Sequence, residues 1–261
     1  MANESQLKTI TVAIVLSVVC SVALAAAVTL LKPIQLKNQA LDKQRKILAA
    51  AGVLAEGQGD AAEVGTEFKK FERYLVDLNT GAYSRIELDD RYDQRKATKQ
   101  PESSMQLVGE QDVADIKRRA EKADVYVLRD EQGQLQRLIL PVSGYGLWST
   151  MYGYLVLEKD ANTVAGITFT DQAETPGLGG EIDNPKWQAQ WVGKHVYGPE
   201  GQPRLHLKKG GVDPAKPGAE YQIDALSGAT LTSNGVSNMV EFWMGDLGFK
   251  AFLSKVRESG V

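Results

Sequence analysis

Asp124 to Thr170 reads DVYVLRDEQGQLQRLILPVSGYGLWSTMYGYLVLEKDANTVAGITFT. Four runs within it, Val125–Arg129, Leu135–Val142, Met151–Glu158 and Thr163–Thr170, are short, apolar or alternating, and rich in Val, Ile, Leu, Tyr and Phe. Runs of this length and composition predict strands. Asp130-Glu131-Gln132-Gly133 and Asp160-Ala161-Asn162 supply turn residues between neighbours, so the expected pattern is an antiparallel meander.

Working towards the C-terminus, Asn184-Pro185 predicts a capped helix start, with Trp187 and Trp191 one turn apart. Arg204–Lys208 predicts a further strand. Val236, Met239, Val240, Trp243, Met244 and Leu247 are spaced to fall on one face of a helix running from about Thr232 to Leu247. The expected fold is α+β, an antiparallel sheet with packed helices, occupying residues 124–261.

Working back, Gln111–Ala123 reads as a helix with Val113, Ile116 and Ala120 on one face. Asn79–Glu110 is polar and aperiodic and reads as a loop-rich arm. Val64–Leu78 is a helical candidate, and Ala50–Gly65 an Ala/Gly-rich linker. Ile34–Ala51 reads as a charged helix. Together, residues 32–123 are expected to form a helical juxtamembrane and docking region.

Thr9 to Leu31, TITVAIVLSVVCSVALAAAVTLL, carries no charge. As a helix it covers roughly 34 Å, enough for a hydrocarbon core of about 30 Å. The rival reading is a cleaved signal peptide with Ala25 and Ala27 at the cleavage site. The run is longer than the roughly 7–15 residues of such a segment, so an uncleaved transmembrane helix over 9–31 is expected, behind a tail of residues 1–8. Pro33 is expected to stop the span or to mark its exit. Lys32, Lys37, Lys43, Arg45 and Lys46 follow it, so a simple positive-inside count puts the large C-terminal part in the cytoplasm.

The chain has 261 residues, 43% of them apolar and 24% charged, with a formal net charge of −3. That composition supports a folded core and argues against a nucleic-acid binder. One cysteine excludes an intramolecular disulfide framework and a cysteine-ligated cluster within the chain, and two histidines argue against a His-based metal site. P-loop, Rossmann and nucleophile-elbow patterns are absent. No catalytic acid, base or nucleophile and no metal ligand is assigned.

Two stretches stand out. Glu174-Thr175-Pro176-Gly177-Leu178-Gly179-Gly180-Glu181 reads either as a plain turn or as a loop whose glycines let backbone approach a ligand. Asp224-Ala225-Leu226-Ser227-Gly228-Ala229-Thr230-Leu231-Thr232-Ser233-Asn234-Gly235 precedes the final amphipathic helix. Either Thr230 or Thr232 is its N-cap, or the helix start is a phosphate site with Thr230 as an exposed hydroxyl.

Ser227-Gly228-Ala229-Thr230, with Asp224 before it, resembles the flavin-attachment motif of the FMN-binding domain family. The 174–181 loop resembles a companion loop of that family. With the N-terminal span, Tyr92–Ala97, Gly146–Ser149 and Leu231–Val236, the likeness extends from the anchor to Lys255. Within the family it is to the C subunits of Na+-translocating NADH:quinone oxidoreductases.

The resemblance implies a covalent-FMN electron carrier relaying electrons from NADH-derived centres towards quinone, coupled to Na+ or H+ translocation. FMN would be held by a phosphoester to Thr230, made from FAD by a flavin transferase recognising Asp224. Ser227, Gly228, Ala229, Leu231, Thr232, Glu174, Thr175, Gly177, Leu178, Gly179 and Gly180 would contact it, with Trp148, Ser149 and Lys209 as further pocket positions. Partners would be other subunits of a membrane oxidoreductase and lipid, with no nucleic acid. The resemblance puts the flavin domain on the periplasmic side of a bacterial inner membrane, against the charge count, and translocated domains of this size override a few lysines. The alternatives are the flavin subunit of the related ferredoxin:NAD electron-transport complex and a flavin-free tethered binding module.

Overall fold

The computed structural model describes residues 6–55, 57–259 and 261. The chain divides into two units at Lys43/Gln44. Most of helix α1 (Gln6–Ala50) is the first unit. Its apolar side chains from Ile10 to Leu31 are exposed, and the run is long and apolar enough to cross a membrane. Of the expected tail, residues 1–5 lie outside the described residues and 6–8 are already helical.

Pro33 does not interrupt the helix. It stands just past the apolar run, where the span was expected to stop or exit, and α1 runs through it into the charged segment. Proline removes one N–H and so one hydrogen bond. The helix formers on both sides, Leu30, Leu31 and Lys32 before it and Gln35, Leu36 and Lys37 after it, carry the remaining ladder past the gap.

The second unit is built on a six-stranded antiparallel sheet. Its elements begin with helix α2 (Ala61–Phe68), strands β1 (Phe71–Asp77) and β2 (Tyr83–Ile86) and helix α3 (Gln94–Thr98). Strands β3 (Ser104–Gln106), β4 (Arg118–Ala120), β5 (Lys122–Arg129), β6 (Leu135–Tyr145), β7 (Thr150–Glu158) and β8 (Val164–Asp171) follow. Helix α4 (Pro185–Gln188), strands β9 (His206–Lys208) and β10 (Gln222–Asp224), and helices α5 (Thr230–Met244) and α6 (Lys250–Ser259) complete the unit. The large sheet has the order β2-β1-β5-β6-β7-β8. A parallel pair β10-β9 and an antiparallel pair β3-β4 lie outside it.

The expected meander is present as β5 to β8, and the α+β architecture with it. The reading upstream of it needs correction. Val64–Leu78 is not one helix. α2 stops at Phe68, and Phe71–Asp77 pairs residue for residue with β5, from Phe71↔Leu128 to Asp77↔Lys122. Sheet pairing outweighs weak local helix preference there. Gln111–Ala123 is not helical either. The Asp112 carboxylate accepts from Ile116 N and Lys117 N, and Asp115 and Lys117 have φ of 53° and 65°. That turn stops a helix and delivers β4 to β3.

The sheet therefore begins about fifty residues before the expected boundary at 124, and residues 32–123 are not a separate helical region. Within Asn79–Glu110 the polar chain is pinned onto the sheet. Buried Arg73 binds Asp124 at 2.7 Å and donates to the carbonyls of Asp90 and Tyr92.

One face of β6 carries α5. Gly235 makes that possible, since a Cβ there would lie 2.2 Å from the Tyr145 carbonyl oxygen. Trp243 Nε1 donates to Ser143 O at 2.7 Å, and Val236, Met239, Val240, Phe242, Trp243 and Met244 are buried. The helix thereby brings its N-terminus to the loop that joins β6 to β7.

Candidate functional site

Thr230 is the first residue of α5 and is exposed. Its predecessor Ala229 is the N-cap, and no side chain caps the helix. Neither Thr230 nor Thr232 serves as the N-cap, so that expectation is corrected. The N–H groups of a first turn have no intrahelical acceptor, and the helix dipole places partial positive charge there. Ser227 and Gly228 are exposed beside it, and Gly228 has φ of 72°, which a side chain would disfavour.

The turn is held from inside the helix. Ser233 Oγ accepts from Leu226 N at 3.0 Å and donates to Ala229 O at 2.9 Å. Ser233 was not among the sequence-derived site residues. A hydroxyl four residues after Ala229, poised to bond back to its carbonyl, was the available signal.

Thr232 lies two residues after Thr230 and has the opposite fate. It is 1% exposed, and its hydroxyl donates to Glu174 Oε2 at 2.5 Å. Glu174 is itself buried and also accepts from the backbone N–H groups of Leu147, Trp148 and Ser149. Burial pushes the Glu174 carboxyl up. The hydrogen bonds from Thr232, Trp148, Leu147 and Ser149 together outweigh that and hold it below the usual carboxylate range.

Thr175 to Gly180 form a tight turn, with Leu178 N and Gly180 N both donating to Thr175 O. Gly177 takes φ of 76°. Gly179 must be glycine, because a Cβ would meet Thr232 Oγ1 at 2.5 Å. Trp148 Nε1 donates to Thr175 Oγ1 at 3.1 Å, and Ser149 Oγ accepts from Ala173 N at 2.9 Å. Leu178 reaches the other loop, since a Cβ on Gly228 would lie 3.1 Å from its Cδ2.

Direct contacts thus join Trp148, Ser149, Glu174, Thr175, Leu178, Gly179, Gly228 and Thr232, with Thr230 and Leu231 exposed on the same helix turn. Large apolar side chains are left uncovered there: Trp148 at 64%, Leu231 at 58%, Leu178 at 43% and Leu147 at 41% exposure. Leu147 and the neighbouring exposed Tyr145 were missed by sequence reasoning, which sees hydrophobicity but not exposure.

Asp224 and Lys209 form a separate cluster. Asp224 ends β10, accepts from Val212 N at 2.6 Å, and offers its carbonyl to Trp187 Nε1 at 2.8 Å. Its strand partner is Lys208, and Lys209 is exposed in the turn that follows. No direct bond joins either residue to the Glu174 loops among the described residues.

The residues present fit a flavin phosphate. An exposed hydroxyl starts an uncapped helix of 15 residues, and aromatic and aliphatic surface beside it is unfilled. Among the described residues no group of three or more His, Cys, Asp or Glu could hold a metal ion.

The FMN-binding domain family matches residues 146–245. Over 99% of both chains, the sequence is 49% identical to the C subunit of the Na(+)-translocating NADH-quinone reductase of Pseudomonas aeruginosa. It is 48% identical to the corresponding protein of Vibrio alginolyticus, over 98% of this chain and 97% of that one. The crystal structure of Shewanella oneidensis NqrC is similar with a TM-score of 0.75 and 37% identity, covering 83% of this chain and 96% of that chain. The chain belongs to the family of Na(+)-translocating NADH-quinone reductase C subunits, membrane-anchored members of a multi-subunit oxidoreductase that carry an FMN-binding domain.

Proposed function

We propose that this chain is the covalent-flavin electron carrier of its complex, with FMN esterified through its phosphate to Thr230 Oγ1. The observation that carries the reading is the contrast between two threonines in one helical turn. Thr230 is exposed at an uncapped helix start, whereas the Thr232 hydroxyl is committed to Glu174. FMN, when bound, supplies reversible one-electron chemistry.

The protein's own part is to bind and orient. The first-turn N–H groups and dipole of α5 favour the phosphate. The exposed faces of Trp148, Leu178 and Leu231 offer apolar surface to a planar ring. Attachment forms a bond between the Thr230 oxygen and the FMN phosphorus of FAD, breaks the pyrophosphate and releases AMP. A flavin transferase performs it, and Asp224, held by Val212 N six residues before the acceptor in the chain, is a fixed acidic mark for that enzyme to read. The soluble unit lies in the periplasm, α1 holds the chain in the inner membrane lipid, and the segment before β5 docks onto neighbouring subunits.

The test is made on protein from a host with the transferase. Wild type is expected to give a fluorescent band after denaturation and an intact mass raised by FMN. Thr230→Val is expected to abolish both, while Thr232→Val keeps most of the flavin. A bare wild-type mass, or equal loading in Thr230→Val, refutes the attachment.

A further inference from the structure

Three consecutive N–H groups, those of Leu147, Trp148 and Ser149, converge on Glu174 Oε1 at 3.1, 2.9 and 3.3 Å. Leu147 N also lies 3.0 Å from Oε2, and Thr232 Oγ1 donates to the same oxygen at 2.5 Å. Successive amides of this kind make a concave anion-binding site. Here the anion is the chain's own carboxylate. Glu174 is 5% exposed, and both of its oxygens are engaged by the protein.

The surroundings are shaped to this carboxylate. A Cβ on Gly146 would come within 2.5 Å of Oε1, and one on Gly179 within 2.9 Å of Oε2. The residues it joins lie on three segments: the β6–β7 connection with Trp148, the 174–180 turn with Leu178, and the first turn of α5 with Thr230. No other side chain among the described residues bonds to both the 147–149 backbone and α5.

We infer that Glu174 is a positioning residue, not a flavin contact: a buried anion that locks the Trp148 loop to the Thr230 turn and biases the attached flavin towards its oxidised state. This rests on the flavin reading above. Reduction adds negative charge, and a buried carboxylate bonded to the helix turn that would carry the ester opposes it. Gln at this position keeps the size and one acceptor oxygen, enough for the three amides that meet at Oε1, but removes the charge. Alanine removes both.

The test uses the full-length chain in two forms, flavin-loaded in its complex and flavin-free from a host without the transferase. In the flavin-free form, Glu174→Ala is expected to lower hydrogen-exchange protection of the Leu147, Trp148 and Ser149 amides at least tenfold, with β6 and β7 protected as in wild type. Glu174→Gln is expected to keep that protection within a few-fold. In the loaded form, Glu174→Gln is expected to retain attached flavin and raise its midpoint potential. An unchanged potential in Glu174→Gln, or wild-type protection in Glu174→Ala, overturns the inference. Should Glu174→Ala fail to accumulate, the potential of Glu174→Gln decides. A wild-type chain without flavin would instead defeat the flavin reading, and the exchange measurement would still judge the positioning role.

Discussion

In the middle of β6 and β7, Leu138, Ile139, Leu140, Leu155, Val156 and Leu157 are all 0% exposed. At the end of the same hairpin, Tyr145, Leu147 and Trp148 are 39%, 41% and 64% exposed. The chemistry of the side chains hardly changes over these few residues. What changes is what holds the backbone. In the centre, apolar burial on both faces and a continuous ladder define the structure. At the rim, a carboxylate, two threonines and a run of amides do so, and the apolar side chains are left uncovered. A site that must receive an apolar ring cannot be built from side chains that satisfy one another.

That contrast can be broken or sharpened by substitution. The largest effect is expected in the centre. Leu155→Ala removes a fully buried side chain and should cost about 2–5 kcal/mol in chemical denaturation of the flavin-free chain. A cost under about 1 kcal/mol would mean the centre is packed no better than the rim.

Thr232→Val comes next. It leaves Glu174 short of a hydroxyl donor and should cost about 1–3 kcal/mol, since the bond is to a charged group. Under the proposed attachment to Thr230, flavin loading should persist.

A smaller and more selective effect is expected from acid. The folded Glu174 carboxyl lies below its ordinary value of 4.5. Its contribution to stability is then fully present above that ordinary value and fades as pH falls through the lower folded one. Protection factors of the 147–149 amides should therefore drop in that acidic window before those of β6 and β7, and Glu174→Gln should flatten the dependence. Simultaneous loss in both regions would erase the distinction between them.

The smallest effect is expected from Trp148→Ala. An indole 64% exposed contributes little to folding, so stability should stay within about 0.5 kcal/mol. The visible circular dichroism of attached flavin should change markedly. Unaltered flavin dichroism would mean that Trp148 does not face the ring.

The sequence made β5 to β8 legible because their alternation is strong and their turns carry Asp, Asn and Gly. It misassigned Val64–Leu78 and Gln111–Ala123 because their local spacing suits a helix. For β1 the competing partner, β5, is distant in the chain, whereas over 111–123 a local turn closed by the Asp112 carboxylate overrides the helical spacing. Helix α6 went unread although Phe252, Leu253 and Val256 are buried at helical spacing, because it follows closely on the end of α5. At the site, the resemblance picked out the two loops and the threonine. The role of Glu174 depends on a bond across 58 residues, which no local pattern encodes, whereas Ser233 had a local signal in its bond back to Ala229. Asp224 and Lys209 fell in the same motif-based set as the loop residues, yet they sit in a cluster of their own around the β9–β10 pair.

Under the proposed carrier role, the seat of Gly235 on the Tyr145 carbonyl bears on electron flow. Main-chain atoms have no rotamers, so the gap between α5 and β6 there is a hard-sphere limit and not an average over conformers. Thr230 lies about 7.5 Å further along the axis and inherits that limit. Tunnelling rates fall steeply with distance. Under the proposed attachment to Thr230, the backbone at the point of attachment adds little to the spread of donor–acceptor distances.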